Sequence, residues 1–406
     1  MKPKRNDPCL CGSGKKYKHC CELKAKATST ISTPTTLQLN QLIELFNVGK
    51  LVEMEMQARS LATGFPASGM VWKILGVCLN SQGRGAEALP ALLKAAQLLL
   101  NDAEVHYNLG VTQANLRQHN DAIASYRQSL ALNPNNAAAH NNLGSALNKI
   151  EQFEAAAASC RTALTIQPSY AGAYLNLGMA LKDLGQFDEA VTNCKRALII
   201  QPQFAEAHYS LGLCFKSMCQ FERAVECFER ALSIKPDDEE VLYSLMLIHF
   251  DLNHFDKVEA YCRRAIEINP RVAMTHNLLG VALRNLSRFS QAQAIFKHAL
   301  KVDPNFAIIH GNLGNELARF GQFDEAIASC RRGMEIEPDN LIVWTNLLFT
   351  LNYTFQSPMD YLAEALRYGE SVSKKVTSRF TTWQCNAQPK KLRIGIVSGD
   401  LVGHPV

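Results

Sequence analysis

Between residues 35 and 340 the small and apolar positions recur at a fixed step of 34. Gly76, Gly110, Gly144, Gly178, Gly212, Gly280 and Gly314 fall on one grid, and Met246 takes the missing place without loss of register. The alanines Ala88, Ala122, Ala156, Ala190, Ala224, Ala292 and Ala326 share the period, as do the prolines Pro134, Pro168, Pro202, Pro236, Pro270, Pro304 and Pro338. Inside one step the apolar spacing is helical. In residues 137–170 Leu143, Ala146 and Leu147 share a face, Gln152 and Phe153 mark a turn, and Ala156, Cys160 and Ala163 line a second helix. Small residues at the crossing let two helices approach closely, and proline stops the second one because it has no N–H to continue the ladder. The pattern therefore predicts helix, turn, helix, stop, in nine copies from 35–68 through 307–340. The first copy carries Leu42 and Met54 at the small-residue sites, as expected of an end unit that has one face without a neighbour and is solvated there. A tenth first helix is expected from Leu341, with one or two more helices over 352–376 beginning near Ser357 and Pro358.

This unit resembles the tetratricopeptide repeat, and Trp72, Leu75 and Gly76 match its opening signature. The implied fold is an all-α tetratricopeptide-repeat superhelix, an α-solenoid whose first helices line a concave face. Against that frame Asn108, Asn142, Asn176, Asn312 and Asn346 recur at one first-helix position, with Ser210 and Ser244 in two gaps and Leu278 breaking the series. An amide there offers a donor and an acceptor to an extended peptide backbone, which makes these five the expected peptide-binding residues; the competing reading is that they bond only to neighbouring repeats. Cys160, Cys194, Cys262 and Cys330 share the grid site of Tyr126, Phe228 and Phe296, so they read as buried apolar positions that accept a thiol.

Charge narrows the partners. The chain carries 42 Lys and Arg against 37 Asp and Glu, but residues 1–26 hold eight of the basic residues against Asp7 and Glu22. The remainder is neutral, which argues against a broad nucleic-acid-binding face and confines attraction for anions to the N-terminal tail. Residues 1–10 carry charge without an apolar core, and no run of about 18 apolar residues occurs, so neither a secretory signal nor membrane insertion is expected. A cytoplasmic protein is the expectation, with its thirteen cysteines reduced or bound to metal.

Cys9, Cys11, Cys20 and Cys21 have the number and spacing of a closed four-thiol structural zinc site, with Gly12 and Gly14 permitting the tight return and Lys15, Lys16, Lys18 and Lys24 offsetting the thiolate charge. His19 is the alternative fourth ligand. The stretch Asn6–Cys21 is similar to the SEC-C zinc module found at the C-terminus of the bacterial SecA translocation ATPase. That resemblance implies structural zinc and a separate partner for the module, either ribosome, translocation factor or nascent chain.

At the other end, 388–391 reads as a linker and Leu392–Val397 as a β-type run ending at Ser398-Gly399-Asp400. Repeats, a helical connector, Lys391-Leu392-Arg393-Ile394-Gly395-Ile396-Val397-Ser398-Gly399-Asp400 and the pair His404-Pro405 resemble the junction into the catalytic part of O-linked N-acetylglucosamine transferases of the Spindly type. There the catalytic part is a two-lobed α/β glycosyltransferase using UDP-N-acetylglucosamine, and His404 matches its active-site histidine. The match ends at Val406, so the resemblance implies a truncated α/β stub and no sugar transfer by this chain alone, because a nucleotide-sugar site cannot be built from about fifteen residues. The expected organisation is a zinc module at 1–26, a linker at 27–34, nine repeats at 35–340, capping helices and connector at 341–387, and the stub at 388–406. The expected function is a protein-protein interaction scaffold, the substrate-recognition region of such a transferase; the alternative is a self-sufficient adaptor for secretion or translation machinery, and a remote third is a transferase completed by a separately encoded catalytic chain.

Overall fold

A computed structural model describes residues 33–354 and 358–375. The zinc-module cysteines Cys9, Cys11, Cys20 and Cys21, the strand-like run 392–397 and His404 lie outside the described residues. Among the described residues there are twenty α-helices and no strand. Nine helix pairs run α1 (Thr36–Asn47) and α2 (Leu51–Gly64), α3 (Gly69–Ser81) and α4 (Gly85–Leu98), α5 (Ala103–Asn115) and α6 (His119–Leu132), α7 (Ala137–Lys149) and α8 (Phe153–Ile166), α9 (Ala171–Asp183) and α10 (Phe187–Ile200), α11 (Ala205–Ser217) and α12 (Phe221–Ile234), α13 (Glu239–Asp251) and α14 (Phe255–Ile268), α15 (Ala273–Asn285) and α16 (Phe289–Val302), and α17 (Ala307–Arg319) and α18 (Phe323–Ile336). Two further helices follow, α19 (Leu341–Leu351) and α20 (Pro358–Lys375). The chain forms two compact units, residues up to 248 and residues from 249.

Three devices, each on the 34-residue grid, build the pair. The first is the crossing. A Cβ placed on Gly110 would sit 2.7 Å from the Tyr126 ring, and one on Gly144 would collide with the Cys160 sulfur. Glycine in the first helix is thus the partner of a large or sulfur-bearing side chain in the second, and Tyr126, Cys160, Cys194 and Cys330 are all buried there, as is Cys262 in the repeat where Met246 replaces the glycine. The second is the turn. One residue with positive φ closes each of the nine first-to-second helix turns: Gly49, Gly83, Arg117, Glu151, Gly185, Cys219, Asn253, Ser287 and Gly321. Glycine adopts that conformation freely, whereas the five other residues carry a steric cost at the same place.

The third device ties a first helix to the loop before it. Trp72 Nε1 donates to the carbonyl of Pro66 at 2.9 Å, and Trp344 Nε1 to that of Pro338 at 2.8 Å. At equivalent positions Nε2 of His106, His140, His208 and His310 meets the carbonyls of Leu100, Pro134, Pro202 and Pro304 at 2.9–3.1 Å. A carbonyl only accepts, so these imidazoles carry their proton on Nε2. At six of the nine equivalent positions a ring nitrogen thus ties the first helix to the preceding loop, whereas Tyr174 and Leu242 at the same grid position have no ring N–H to do so.

The first pair packs differently. Leu42 and Met54 are buried in one cluster with Ala58, Val71 and Leu75, filling the crossing with two long side chains in place of the glycine-against-large arrangement. Leu37, Ile43, Val52 and Met56 of this pair are exposed. In the second unit Ile327, Cys330, Val343, Leu347 and Leu351 form a cluster on which Met334 and Tyr361 pack, so α19 and α20 continue the core beyond the ninth pair.

Candidate functional site

The asparagines predicted to bind peptide stand on successive first helices: Asn108 on α5, Asn142 on α7, Asn176 on α9, Asn312 on α17 and Asn346 on α19. Most of them are also bonded to the preceding repeat. Asn142 Nδ2 donates to Tyr107 Oη at 3.2 Å, Asn176 Nδ2 to Asn141 Oδ1 at 2.9 Å, and Asn312 Nδ2 to Asn277 Oδ1 at 2.8 Å. Ser244 Oγ and Tyr209 Oη, 3.3 Å apart, make the same link where serine replaces asparagine. Each bond spans 35 residues, joining the series position to the residue just before it in the previous repeat. At the next step that residue is Gly311, whose missing side chain leaves Asn346 Nδ2 beside bare backbone; Asn346 Oδ1 instead accepts from Asn315 Nδ2 at 3.3 Å. Asn108 makes no side-chain hydrogen bond among the described residues, and only its carbonyl is engaged, by Thr112.

The ladder's partner position was not singled out from the sequence. Its signal was there, in polar or aromatic residues at Tyr107, Asn141, Tyr209, Tyr243 and Asn277, but it is interrupted by Leu175 and Gly311. An amide has two donor hydrogens and two acceptor lone pairs, so a single inter-repeat bond leaves capacity for another partner. Asn142, Asn176 and Asn346 are half-buried and keep that capacity within reach of solvent, while Asn312 is buried.

Clefts open between consecutive first helices at equivalent places. Between α1 and α3 a cleft of about 300 Å³ is lined by Ile43, Phe46, Met70, Ile74 and Val77. Between α5 and α7 one of about 260 Å³ is lined by Asn115, His119, Asn142, Ser145 and Lys149. In the second unit, between α17 and α19, one of about 390 Å³ is lined by Asn315, Arg319, Phe323, Phe349 and Tyr353. Residues 43, 111 and 315 occupy one grid position and residues 77, 145 and 349 another. The backbone repeats the cleft, and the side chains make it apolar, basic and polar, or aromatic.

Next to Asn312 lies a feature with no counterpart in the other repeats. Glu316 on α17 is fully buried at a position held elsewhere by Thr112, Ala146, Ala180, Ala282 and Thr350. Arg284 Nε lies 3.8 Å from one of its carboxylate oxygens and Arg319 Nε 3.7 Å from the other, yet neither oxygen accepts a hydrogen bond. Burial raises the Glu316 pKa and the two guanidinium groups oppose it, with burial the stronger. Arg284 Nη1 reaches Asn312 Oδ1 at 3.3 Å, joining the pair to the ladder. Arg319 lies over the Phe289 ring, 4.2 Å from its centre, and faces the aromatic cleft.

The cysteines of the stack carry no such chemistry. No group of three or more potential metal-ligating side chains occurs among the described residues. Burial holds the thiols of Cys160, Cys262 and Cys330 up at about 12.

Comparison with known proteins gives the repeats and the N-terminal cluster family names. Tetratricopeptide repeat families match residues 107–171, 171–204, 205–238 and 277–340, and the SEC-C motif matches residues 5–23. The chain thus contains tetratricopeptide repeats and a SEC-C motif. It is similar to the protein translocase subunit SecA of Halothermothrix orenii, 90% identical over 20 residues, which is 5% of this chain and 2% of SecA. SecA of a Sulfurovum species matches at the same identity and coverage. The chain accordingly spans about 2% of the length of these curated relatives. Among solved structures it is similar to YrrB, described as a tetratricopeptide protein with an unusual peptide-binding site, at 22% identity over 47% of this chain and 97% of that one, TM-score 0.42. It is also similar to MamA of Desulfovibrio magneticus RS-1, at 25% identity over 42% of this chain and 96% of that one, TM-score 0.38. Among the described residues no helix is long and apolar enough to cross a membrane.

Proposed function

We propose that the repeats hold extended segments of client polypeptides along the first-helix face. Tetratricopeptide repeats indicate a protein-protein interaction scaffold and imply protein partners. The observation that supports the groove is the amide series: Asn142 and Asn176 are half-buried and each tied by one bond to the preceding repeat, and although Asn142 Oδ1 also accepts from Asn141 Nδ2 at 3.1 Å, each side chain keeps an acceptor lone pair for a peptide backbone. Contacts to backbone bind many sequences, which suits a scaffold with several clients. The asparagines divide the work unequally. Asn108 makes no side-chain hydrogen bond among the described residues, so Asn108→Ala should weaken peptide binding at unchanged stability, by an amount on the order of 0.5–1.5 kcal/mol. Asn142→Ala and Asn176→Ala should lower both affinity and stability, because each also breaks the inter-repeat ladder. Fluorescence anisotropy with labelled flexible 15-residue peptides measures the first effect and chemical denaturation the second. Unchanged affinity in a folded Asn108→Ala, Asn142→Ala, Asn176→Ala chain would assign the series to the fold alone.

The finer role we propose is client recognition for an O-linked N-acetylglucosamine transferase-like protein. It is supported by the run Lys391–Asp400 and the His404-Pro405 pair that follow the repeats. Clients captured by the repeats from their own cells should then carry the sugar on serine or threonine, read by mass spectrometry. Bound clients without it would favour the second reading, an adaptor in which the zinc module docks on secretion or translation machinery. That reading draws on the 90% identity to a stretch of SecA. Either way we propose that Cys9, Cys11, Cys20 and Cys21 hold one structural zinc: four thiols are the donor set of a closed zinc site, and all four fall inside the matched SEC-C motif.

A further inference from the structure

The clefts between consecutive first helices have one backbone plan and different linings, and the lining of the α5–α7 cleft is one-sided. Lys149, at the end of α7, is exposed and makes no ion pair. His119, at the start of α6, lines the same cleft, and its buried Nδ1 has no hydrogen-bond partner among the described residues. Asn115 and Ser145 add further donors, and Asn142 of the amide series forms part of the wall. None of the lining residues is acidic. A cavity of about 260 Å³ is large enough for one side chain and its water, not for a folded element. In the equivalent cleft between α1 and α3 the one basic group, Lys73, is paired with Asp102 and with Glu104 of the same wall, and in the cleft between α17 and α19 Arg319 lies 3.7 Å from the Glu316 carboxylate, so neither offers a cation without an acidic neighbour.

We infer that the α5–α7 cleft is a side-chain subsite of the peptide groove that takes a carboxylate, the side chain of Asp or Glu in an extended client. This deepens the proposed groove and rests on it. The backbone amide series binds any sequence; the cleft beside it selects one residue. A carboxylate entering there meets the Lys149 ammonium and hydrogen-bond donors on both first helices, and its charge is matched without a competing acid in the wall. Position 149 carries this selectivity because its grid equivalents are Asn115, Asp183, Ser217, Asp251, Asn285, Arg319 and Tyr353, so no other repeat repeats this combination with His119.

The test uses the full chain and fluorescein-labelled 15-residue peptides of Ser, Thr and Gly, neutral or with a single Glu moved along the sequence, read by anisotropy. Wild type should bind the best Glu peptide about tenfold more tightly than the neutral one, the gain of one charge-assisted hydrogen bond. Lys149→Glu should abolish that preference. His119→Ala should reduce it. Lys195→Glu, the same charge change at an exposed lysine on α10, should preserve it. Circular dichroism and melting of each variant confirm that the stack is folded. Equal affinity of wild type for acidic and neutral peptides would overturn the subsite while leaving the groove standing, as would a preference that survives Lys149→Glu. Failure of every peptide to bind would overturn both.

Discussion

Asn312 donates through Nδ2 to Oδ1 of Asn277, 2.8 Å away and 35 residues earlier, and both side chains are buried. Two amides with almost no access to water must satisfy one another, and Arg284 completes the acceptor side of Asn312. The bond therefore joins adjacent repeats, as part of the fold.

Removing one member of this pair should cost more than removing both. Asn312→Ala leaves the Asn277 carbonyl oxygen buried and unpaired, with an expected loss of about 1–3 kcal/mol. Asn277→Ala should behave similarly. The double change should cost less than the sum, because neither amide is then stranded. Urea unfolding of the four chains in a double-mutant cycle measures the coupling, and strictly additive losses would mean that the contact carries no energy.

Glu316 predicts a pH dependence whose sign follows from burial. Its folded pKa lies above the ordinary 4.5, so the folded state holds its proton more tightly than the unfolded one. Its contribution to stability is then greatest below about pH 4.5 and is lost as pH rises from there through the folded value. Glu316→Gln, which resembles the protonated form, should lack this loss. The variant should be more stable than wild type at pH 7, and the gap should close near pH 4. Denaturation at the two pH values decides it; a variant less stable than wild type at pH 7 would show that the attraction of Arg284 and Arg319 outweighs burial.

The left-handed turn positions offer a gain of stability. Arg117 and Glu151 have φ near 60° and are exposed, in a place where Gly49, Gly83, Gly185 and Gly321 stand in other repeats. Arg117→Gly and Glu151→Gly should each stabilise the first unit by about 0.5–1 kcal/mol, since relief of the backbone strain exceeds the added entropy of the unfolded chain. Thermal melting reports it, and a lowered melting temperature for both would mean that their side chains contribute contacts worth more than the strain.

Thiol chemistry should sort the cysteines into three classes. Cys219 is exposed and should alkylate at once at pH 8, whereas Cys160, Cys262 and Cys330, buried with thiols held near 12, should react only after unfolding. Cys9, Cys11, Cys20 and Cys21 should be protected by zinc and become reactive on chelation. Elemental analysis should find about one zinc per chain, lost in Cys9→Ser/Cys20→Ser with helicity unchanged. Equal zinc in wild type and double variant would remove the metal from this motif.

The sequence alone determined the period, the helix pairs and the residues at each crossing. These are local or one-repeat matters, since a glycine, an alanine and a proline in phase dictate where helices cross and stop whatever the distant chain does. It also displayed the asparagine series and the tetrathiol motif, because function at a repeated position is written at the same period as the fold. Only the tertiary structure decided that Asn142, Asn176 and Asn312 bond to Tyr107, Asn141 and Asn277, that Glu316 is buried between two arginines, and that Lys149 and His119 face one cleft. Each of these depends on how one repeat is rotated against the next, and a 34-residue period fixes which residues are equivalent without fixing which of them touch.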